Sequence, residues 1–360
     1  RYLALGAFVM LIFHHISYQK IRWFYLFLLP TSFVLLVITP FIGVDINGAV
    51  RAIKIIGFEF QPIELAKWSV VLFLSDILAR YQNHANKIPD KPFWWMIGVL
   101  AVICVLIAMQ NLSTAVILFG IGMIMMFVGR VGLGRISLVC AGALVVCMLI
   151  FGLSKVIPDQ YLPDRMKSGT WEKRITELFE ENSQDASTKT YVIDDDNRQI
   201  MNSKIAIAKG KYPCGPGNSS QRDYLPLAFS DFIYAILIEE YGIVGAALTM
   251  LLYLAILFRA GMIAYKSDTA YPAILVIGLS LLIVVQAWIS MAVTAHLGPV
   301  TGQPLPLISR GGTSILLTCI YLGIILSVSQ YVKDIKKGNG KNIVTASNDA
   351  ENENPKTEEV

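Results

Sequence analysis

Long apolar runs alternate with short polar connectors along almost the whole chain. A helix needs about 20 apolar residues to cross a hydrocarbon core of about 30 Å. Nine runs approach that length, so each is predicted to be a membrane-spanning helix. Their predicted bounds are 2–17, 23–44, 64–80, 93–110, 112–130, 135–156, 231–258, 269–296 and 312–333. The pattern therefore predicts an all-α polytopic membrane protein, with residues 1–333 forming one transmembrane domain.

Basic residues fall on every second connector, and this predicts the orientation of the chain. Cytoplasmic connectors of membrane proteins carry an excess of Lys and Arg. The basic residues concerned are Lys20, Arg22, Arg80, Lys87, Lys91, Arg130, Arg135, Arg259, Lys266, Lys333, Lys336 and Lys337. The C-terminus is therefore predicted to be cytoplasmic. The chain starts with Arg1, directly at a span and without a signal peptide, which favours a fragment that has lost an N-terminal span.

The composition agrees with a membrane protein. Hydrophobic residues make up 55% of the chain and charged residues 16%, against about 25% charged residues in soluble domains. The net charge of +4 does not indicate nucleic-acid binding, because the basic residues lie in the connectors between spans. Four of the five cysteines lie in apolar runs, which argues against a disulfide framework. A soluble enzyme and a disordered chain are both disfavoured.

Unusual polar sequence collects on the predicted outer face, whereas the predicted cytoplasmic connectors are ordinary. We therefore expect the function to lie outside, at the membrane surface. The tail at 334–360 is polar and lacks aromatic residues, so it is predicted to be disordered. The outer segments are 45–63, the turn around Asn111, the large loop at 157–230, and 297–311.

Charged residues occur where the predicted spans begin. Glu64 and Lys67 are three residues apart, so a helix places them on one face. They form either a structural ion pair or part of a site, because charge inside a membrane is costly and is commonly functional. Arg51, in the preceding connector, is a candidate anion contact.

Carboxylates mark the start of the span at 231–258. Asp231 is either a helix cap, together with Ser230, or a functional carboxylate at the membrane boundary. Glu239 and Glu240 lie about 12 Å deeper along a helix. An acidic pair at that depth needs cations or protons nearby, and packing against Lys67 or an arginine is the simple structural interpretation.

The large outer loop has two halves of different character. Its first half contains TWEKRITELFEE, an amphipathic run suited to the membrane surface, and YVIDDDNRQ, which is predicted to be a solvated turn because it lacks the Gly and Glu of a calcium loop. The second half is rich in Gly and Pro, and no GK[ST] follows its glycines, so it is not a P-loop. Candidate polar residues in this half are Lys209, Lys211, Gln221 and Arg222.

The last outer segment cannot form a regular helix because it contains Pro299, Pro304 and Pro306. Irregular backbone at membrane depth must be buried in protein or line a cavity. Ser309 and Gly311 precede the final span, where N–H groups at the helix start would suit an anion such as pyrophosphate.

Four blocks of sequence together resemble one family. They are NGAVRAIKIIGFEFQPIELAK, NLSTA, the stretch from IAIAKGKYPCGPGNSSQ to LPLAFSDFIYAILIEEYG, and PVTGQPLPLISRGGTS. In this order and spacing they resemble the SEDS family of bacterial cell-wall polymerases, the FtsW, RodA and SpoVE proteins, from residue 1 to about 333, and the wording is most similar to the FtsW members. That family usually has ten spans, so the nine here imply that the first is missing.

This chain departs from the usual family pattern at five positions. Ala52 replaces a Trp, Ile63 a Ser, Asn111 an Asp, His296 a Gly and Arg310 an aromatic residue. Asn111 cannot act as a carboxylate, so a family role for that Asp does not transfer to this chain.

The resemblance implies a peptidoglycan glycosyltransferase that polymerises lipid II at the outer face of the cytoplasmic membrane during cell division and releases undecaprenyl pyrophosphate. Asp231 matches the family's catalytic acid. A divalent cation, Mg²⁺ or Mn²⁺, is a candidate helper, and no organic cofactor is implied. The implied partners are lipid II, the nascent glycan strand, a class B penicillin-binding protein transpeptidase and divisome proteins. Candidate substrate-binding residues are Arg51, Glu64, Lys67, Lys209, Lys211, Gln221, Glu239, Glu240, Ser309 and Gly311, with Lys173 and Arg174 as weaker candidates.

Three alternatives stay open. A lipid II flippase or other transporter would use the Glu239 and Glu240 pair as a proton relay. A scaffold that only recruits a transpeptidase would not need Asp231. An elongation polymerase of the RodA type would share the chemistry but act in a different complex.

Overall fold

The computed structural model describes residues 2–45, 50–55, 58–82, 88–156, 198–225, 229–298 and 302–352. These residues are mostly helical. In chain order the elements are α1 Tyr2–His15, α2 Tyr18–Ile21, a 3-10 turn at Arg22–Phe24, α3 Tyr25–Ile42, β1 Val44–Asp45, β2 Val50–Ile55, β3 Phe58–Phe60, α4 Pro62–Gln82, α5 Asp90–Ala108, α6 Leu112–Val128, α7 Leu133–Val156, α8 Arg198–Lys209, α9 Ile233–Tyr265, α10 Ala270–Thr294 and α11 Gly312–Asn352.

A helix lies at the position of each predicted span. Among the described residues, five helical stretches are long and apolar enough to cross a membrane, and three shorter helices are also apolar. The helix α4 is in neither group, since it carries Glu64, Lys67, Asp76 and Arg80. The fold is that of a mostly helical polytopic membrane protein, and the count of nine spans stays a prediction.

The all-α prediction is wrong between α3 and α4. There β1, β2 and β3 form a small antiparallel sheet, in which Val44 lies opposite Ala52 and Ile53 lies opposite Phe60. The strand sequence VRAIKI is rich in β-branched residues, which favour a pleated, half-buried surface. A strand of this size is too short to be detected by a search for runs of membrane-spanning length.

The last helix continues beyond the predicted span. It runs to Asn352, although residues from 334 onward are predicted to be disordered. No proline interrupts the sequence before Pro355, so the backbone can continue the hydrogen bonding of the span. Residues 353–360 lie outside the described residues, as does the first half of the large loop at 157–197. The predictions for TWEKRITELFEE, Lys173, Arg174 and the three adjacent Asp residues fall there.

Helix α10 lies at the centre of the bundle and contacts α4, α6, α9 and α11. Gly278 allows this close approach, because an added Cβ would lie 2.7 Å from Met125 and 2.8 Å from Val71. Gly323 does the same where α11 contacts α1, since a Cβ there would lie 2.6 Å from the carbonyl oxygen of Met10. Small residues at helix contacts are typical of membrane bundles.

The end of α4 far from Glu64 holds a buried carboxylate between two arginines. Arg22 Nε lies 2.5 Å from Asp76 Oδ1, and Arg80 Nη2 lies 2.7 Å from Asp76 Oδ2. The side chain of Asp76 is fully buried. Since 12 residues separate Asp76 from Glu64, the two ends of α4 lie about 18 Å apart along the helix axis. This ion cluster therefore belongs to the opposite end of the bundle from the candidate site.

Candidate functional site

Asp231 lies in the turn that leads into α9. Its side chain is largely buried, with the residue 9% exposed, and Ser230 Oγ donates a hydrogen bond of 2.8 Å to Asp231 Oδ1. The helix begins at Ile233, and the N-cap position is held by Phe232, whose side chain makes no capping bond. Asp231 thus lies one residue before the assigned N-cap.

The segment at 302–311 is fastened to the residues just before Asp231. Ser309 Oγ donates to the carbonyl oxygen of Ser230 at 2.5 Å, and the backbone N–H of Arg310 donates to the carbonyl oxygen of Phe229 at 2.7 Å. Within the segment, the N–H of Leu305 donates to Ser309 Oγ at 2.7 Å. No helix or strand is assigned at 302–311, so the predicted irregular backbone is confirmed for these residues.

The predicted pair on α4 is a buried ion pair. Lys67 Nζ donates to Glu64 Oε1 at 2.7 Å and to Gln286 Oε1 at 2.8 Å. Lys67 is only 2% exposed. Gln286, from the middle of α10, donates in turn from Nε2 to the carbonyl oxygen of Pro304 at 3.0 Å. Gln286 is not among the site residues predicted from sequence, although a lone amide inside the predicted span 269–296 is a usable signal.

The NLSTA block contacts the same irregular segment. Asn111 is the N-cap of α6, and its side chain accepts from the N–H of Thr114 at 3.2 Å. Gln303 Nε2 donates to the hydroxyl of Thr114. An amide oxygen performs this capping as well as a carboxylate does, which accounts physically for Asn111 at a position where the family usually has Asp.

Glu239 is held by the Gly- and Pro-rich loop and not by Lys67 or an arginine. Its two carboxylate oxygens accept hydrogen bonds from Ser219 Oγ at 2.5 Å, from Ser220 Oγ at 2.8 Å, and from the N–H groups of Ser220 at 3.1 Å and Gln221 at 3.3 Å. Glu239 is 2% exposed. Four donors satisfy the charge of this buried carboxylate, so it fixes the turn at 219–221. The neighbouring Glu240 is half-buried and accepts through its carbonyl oxygen from the N–H of Gly215.

A break in α9 makes room for this loop. Gly242 has φ of 71° inside the helix, a value that side chains disfavour, and an added Cβ would lie 2.8 Å from Pro213. Gly210 approaches the helix even more closely, because its Cβ would lie 2.4 Å from the carbonyl oxygen of Ile238. The loop therefore lies directly against the helix that follows Asp231.

The remaining candidates on this loop are mostly exposed. Lys209 Nζ donates to Ser220 Oγ at 2.6 Å, and Lys211 Nζ lies 5.8 Å from the ring centre of Tyr212. Gln221 is buried. Lys209 and Gln221, both predicted from sequence, thus lie at the turn 219–221 that Glu239 holds in place.

Two further predicted candidates are Arg51, which is described only in part, and Gly311, which differs from expectation. Arg51 lies in β2, but its side chain lies outside what the structure describes. The backbone N–H of Gly311 is not available to an anion, because it donates to the carbonyl oxygen of Ser309 at 2.9 Å. The helix α11 begins one residue later, at Gly312.

His296 ties α8 to the end of α10. Its Nε2 lies 2.9 Å from Ser203 Oγ, and its φ of 60° is in the left-handed region, which suits the Gly that the family usually has there. Burial, and secondarily the charge of Lys204, lower the pKa of His296 to about 4. The imidazole is therefore neutral at physiological pH. His296 stands out in the sequence as a departure from the family pattern, whereas its partner Ser203 is not predicted.

No cluster of three or more His, Cys, Asp or Glu side chains that could hold a metal ion occurs among the described residues. The charged groups described here are the largely buried carboxylate of Asp231, the buried ion pair of Glu64 and Lys67, and the exposed residues Lys209 and Lys211. A divalent cation would have Asp231 as its candidate protein ligand.

Comparison with known families and proteins gives one consistent result. The family model FtsW/RodA/SpoVE, described as cell cycle protein, matches residues 1–334. A probable peptidoglycan glycosyltransferase FtsW of Pseudomonas fluorescens (strain SBW25) is 31% identical over 317 residues, which cover 87% of this chain and 72% of the relative. Stage V sporulation protein E of Bacillus subtilis (strain 168) is 28% identical and covers 91% of this chain and 84% of the relative.

Solved structures share the fold. A chain from a peptidoglycan synthase complex, studied for the coordination of polymerization and crosslinking, superposes with a TM-score of 0.70 at 21% identity, covering 92% of this chain and 88% of that one. The rod shape determining protein RodA of Thermus thermophilus superposes with a TM-score of 0.62 at 20% identity, covering 91% and 85%.

Proposed function

The chain belongs to the FtsW/RodA/SpoVE family, and from that premise we propose that it is a peptidoglycan glycosyltransferase that polymerises lipid II and releases undecaprenyl pyrophosphate. The observation that carries the proposal is the placement of Asp231. This carboxylate is largely buried at the start of a span, and the irregular segment 302–311 is fastened to the residues before it. The position suits a substrate whose sugars are in water and whose prenyl chain is in the membrane.

The reaction requires a base for the attacking hydroxyl group. In our proposal Asp231 accepts the proton of the sugar 4-hydroxyl of one lipid II as that oxygen attacks the anomeric carbon of the lipid-linked chain. The bond from that carbon to the pyrophosphate oxygen breaks, and the pyrophosphate leaves with the prenyl chain. Ser230 Oγ, which donates to Asp231 Oδ1, helps to orient the carboxylate. A positioned base of this kind contributes about 10² to 10⁴ in rate.

The leaving pyrophosphate requires positive charge. Lys209, at the end of α8, and Lys211, just after it, are exposed and are the proposed first contacts, with Arg51 from β2. Lys67 is buried and paired with Glu64 and Gln286, so in our proposal it supports the leaving group from a fixed position. A bound Mg²⁺ or Mn²⁺ would add Lewis-acid neutralisation of the phosphates.

The proposed setting is the bacterial cytoplasmic membrane at the division septum, with the C-terminus in the cytoplasm. The names of the FtsW relatives favour division over elongation. The proposed partners are a class B penicillin-binding protein transpeptidase and other divisome proteins. Depletion followed by microscopy tests the division role, since filamentous cells support it and round cells support the elongation alternative.

The flippase alternative is weakened by one contact set. A proton relay needs carboxylates that can take up and release protons, whereas Glu239, one of the two proposed relay residues, accepts four hydrogen bonds from residues 219–221. Purified protein in liposomes that contain lipid II separates the two functions, when glycan polymer and lipid translocation are scored in one experiment. Polymer without protein-dependent translocation supports the polymerase, and translocation without polymer contradicts it. If neither polymer nor translocation is observed, even with the transpeptidase present, the result would favour a scaffold.

A further inference from the structure

We infer that Gln286 is a positioning residue that holds Lys67 and the backbone beside Asp231 in a fixed relation, through one continuous chain of hydrogen bonds. The inference rests on the proposed function, because it assigns Gln286 a part in glycosyl transfer. It goes beyond the predicted site, in which Gln286 had no place.

The chain starts at the buried ammonium group on α4. Lys67 Nζ donates to Gln286 Oε1 at 2.8 Å, and Gln286 Nε2 donates to the carbonyl oxygen of Pro304 at 3.0 Å. The next donor belongs to the same peptide unit, since the N–H of Leu305 follows the carbonyl of Pro304. That N–H donates to Ser309 Oγ at 2.7 Å. The amide of Gln286 and the hydroxyl of Ser309 thus hold one peptide from its two sides.

The chain ends at the peptide that joins Ser230 to Asp231. Ser309 Oγ donates to the carbonyl oxygen of Ser230 at 2.5 Å, and Ser230 Oγ donates separately to the carboxylate of Asp231 at 2.8 Å. Four structural units are therefore connected: α4, α10, the segment at 302–311 and the turn before α9. The contacts lie among buried residues, including Lys67, Gln286 and Ser309.

The hydrogen bonds of this chain all have the same direction. At every step from Lys67 to Ser230, the group nearer Lys67 donates and the next group accepts. Hydrogen bonds arranged head to tail polarise one another, and a positive charge at the donor end reinforces that polarisation. Gln286 is suited to the second step because its amide both accepts and donates. A carboxylate or a thioether of similar length cannot do both.

This arrangement matters because the two groups have to act on one substrate. In the proposed reaction Asp231 acts on the attacking hydroxyl, while the buried charge of Lys67 supports the leaving pyrophosphate. Catalytic groups need to be held within about 0.5 Å of the productive geometry, and a misplacement of about 1 Å can cost about 100-fold in rate. Removing Gln286 from the chain is therefore expected to slow the chemical step more than it weakens substrate binding.

Two substitutions and a matched control test the inference. Gln286→Glu can still accept from Lys67 but cannot donate to Pro304, and Gln286→Met removes both contacts at similar length. Ser280→Ala is the control, because Ser280 is buried on the same helix and donates to the carbonyl of Ile277 in its own helix. The full chain is assayed in liposomes for lipid II polymerisation, with kcat and KM measured separately. Amide hydrogen exchange over 302–311 is followed in the same preparations.

We expect both Gln286 variants to lower kcat about 100-fold, with KM for lipid II within about twofold of wild type, and to speed exchange over 302–311. Variants that retain the kcat of the Ser280→Ala protein overturn the inference. A loss of kcat that is fully explained by a loss of folded protein, as judged from the melting temperature, also overturns the inference. If the wild-type protein makes no polymer, the proposed function fails. Hydrogen exchange then still tests the positioning of the segment, and unchanged exchange in both variants refutes it.

Discussion

Ser309 Oγ donates a hydrogen bond of 2.5 Å to the carbonyl oxygen of Ser230, and the two residues are 79 positions apart in the chain. The contact brings together two of the sequence blocks that carry the family resemblance. It places the irregular segment directly beside the peptide that precedes Asp231. A site of this kind depends on backbone position as much as on side-chain identity.

Variants of the buried pair Glu64 and Lys67 distinguish the effect of the Lys67 charge on activity from its effect on stability. Lys67→Met should destabilise the protein by about 3 to 5 kcal/mol, because it leaves the carboxylate of Glu64 buried without its cation. The double variant Glu64→Gln/Lys67→Met removes both charges, so it should regain most of the melting temperature. Polymerisation should stay low in both proteins, since the buried cation is absent. A double variant with wild-type polymerisation would remove Lys67 from the proposed mechanism.

Glu239 is expected to hold the loop rather than to contact substrate. Glu239→Gln replaces a carboxylate that accepts four hydrogen bonds by an amide with one acceptor oxygen. Hydrogen exchange over residues 210–221 should become faster, and polymerisation should fall about tenfold as Lys209 and Gln221 lose their fixed position. The exchange control is Glu240→Gln, the same change one residue further on. Equal exchange in the two variants would contradict the role of Glu239.

The cluster at the other end of α4 should matter for folding alone. Asp76 lies between Arg22 and Arg80, and Asp76→Asn leaves both guanidinium groups without their anion. We expect a loss of about 1.5 to 3 kcal/mol in stability, because the two arginines are partly exposed and lose hydrogen bonds to a charged acceptor, and an unchanged polymerisation rate per folded molecule. Melting temperature and activity of the monodisperse fraction measure the two effects. A lower polymerisation rate in fully folded protein would show that this end of the bundle affects the site.

His296 should make stability depend on pH. Its pKa is lowered from 6.5 to about 4 in the folded protein, by burial first and by Lys204 second. Between these values the unfolded chain binds a proton that the folded protein does not, so the free energy of unfolding should fall as pH decreases from 6.5 to 4. His296→Asn tolerates the left-handed backbone and cannot ionise, so it should remove part of this dependence. Identical melting curves against pH in both proteins would contradict the assignment.

The hydrophobic pattern predicts where the helices lie, because each run of apolar residues reflects the same requirement to avoid water. It does not predict the sheet at 44–60, whose longest strand has six residues. Nor does it predict the break at Gly242. A glycine in an apolar run gives no sign of a break, and only the structure shows that Pro213 packs against this one.

The candidate site is predicted in part. Asp231, Glu64 and Lys67 stand out because charge is rare in apolar sequence, and the three prolines indicate the irregular segment. The partners of these residues are harder to find. Gln286 and Ser203 are ordinary polar residues whose importance lies in contacts across 219 and 93 positions of the chain. Substrate contact stays a prediction for every candidate residue, and the backbone N–H of Gly311 is already bonded to Ser309.

The most direct measurement is lipid II polymerisation by the Asp231→Asn variant in liposomes. The amide keeps the size of the side chain and can still accept from Ser230, but it cannot take the proton of the attacking hydroxyl. Asp223→Asn, an exposed aspartate of the same outer segment, is the control for surface charge. The account predicts a loss of at least about 100-fold in rate for Asp231→Asn with an unchanged melting temperature. Polymerisation by that variant within twofold of the Asp223→Asn protein would contradict it.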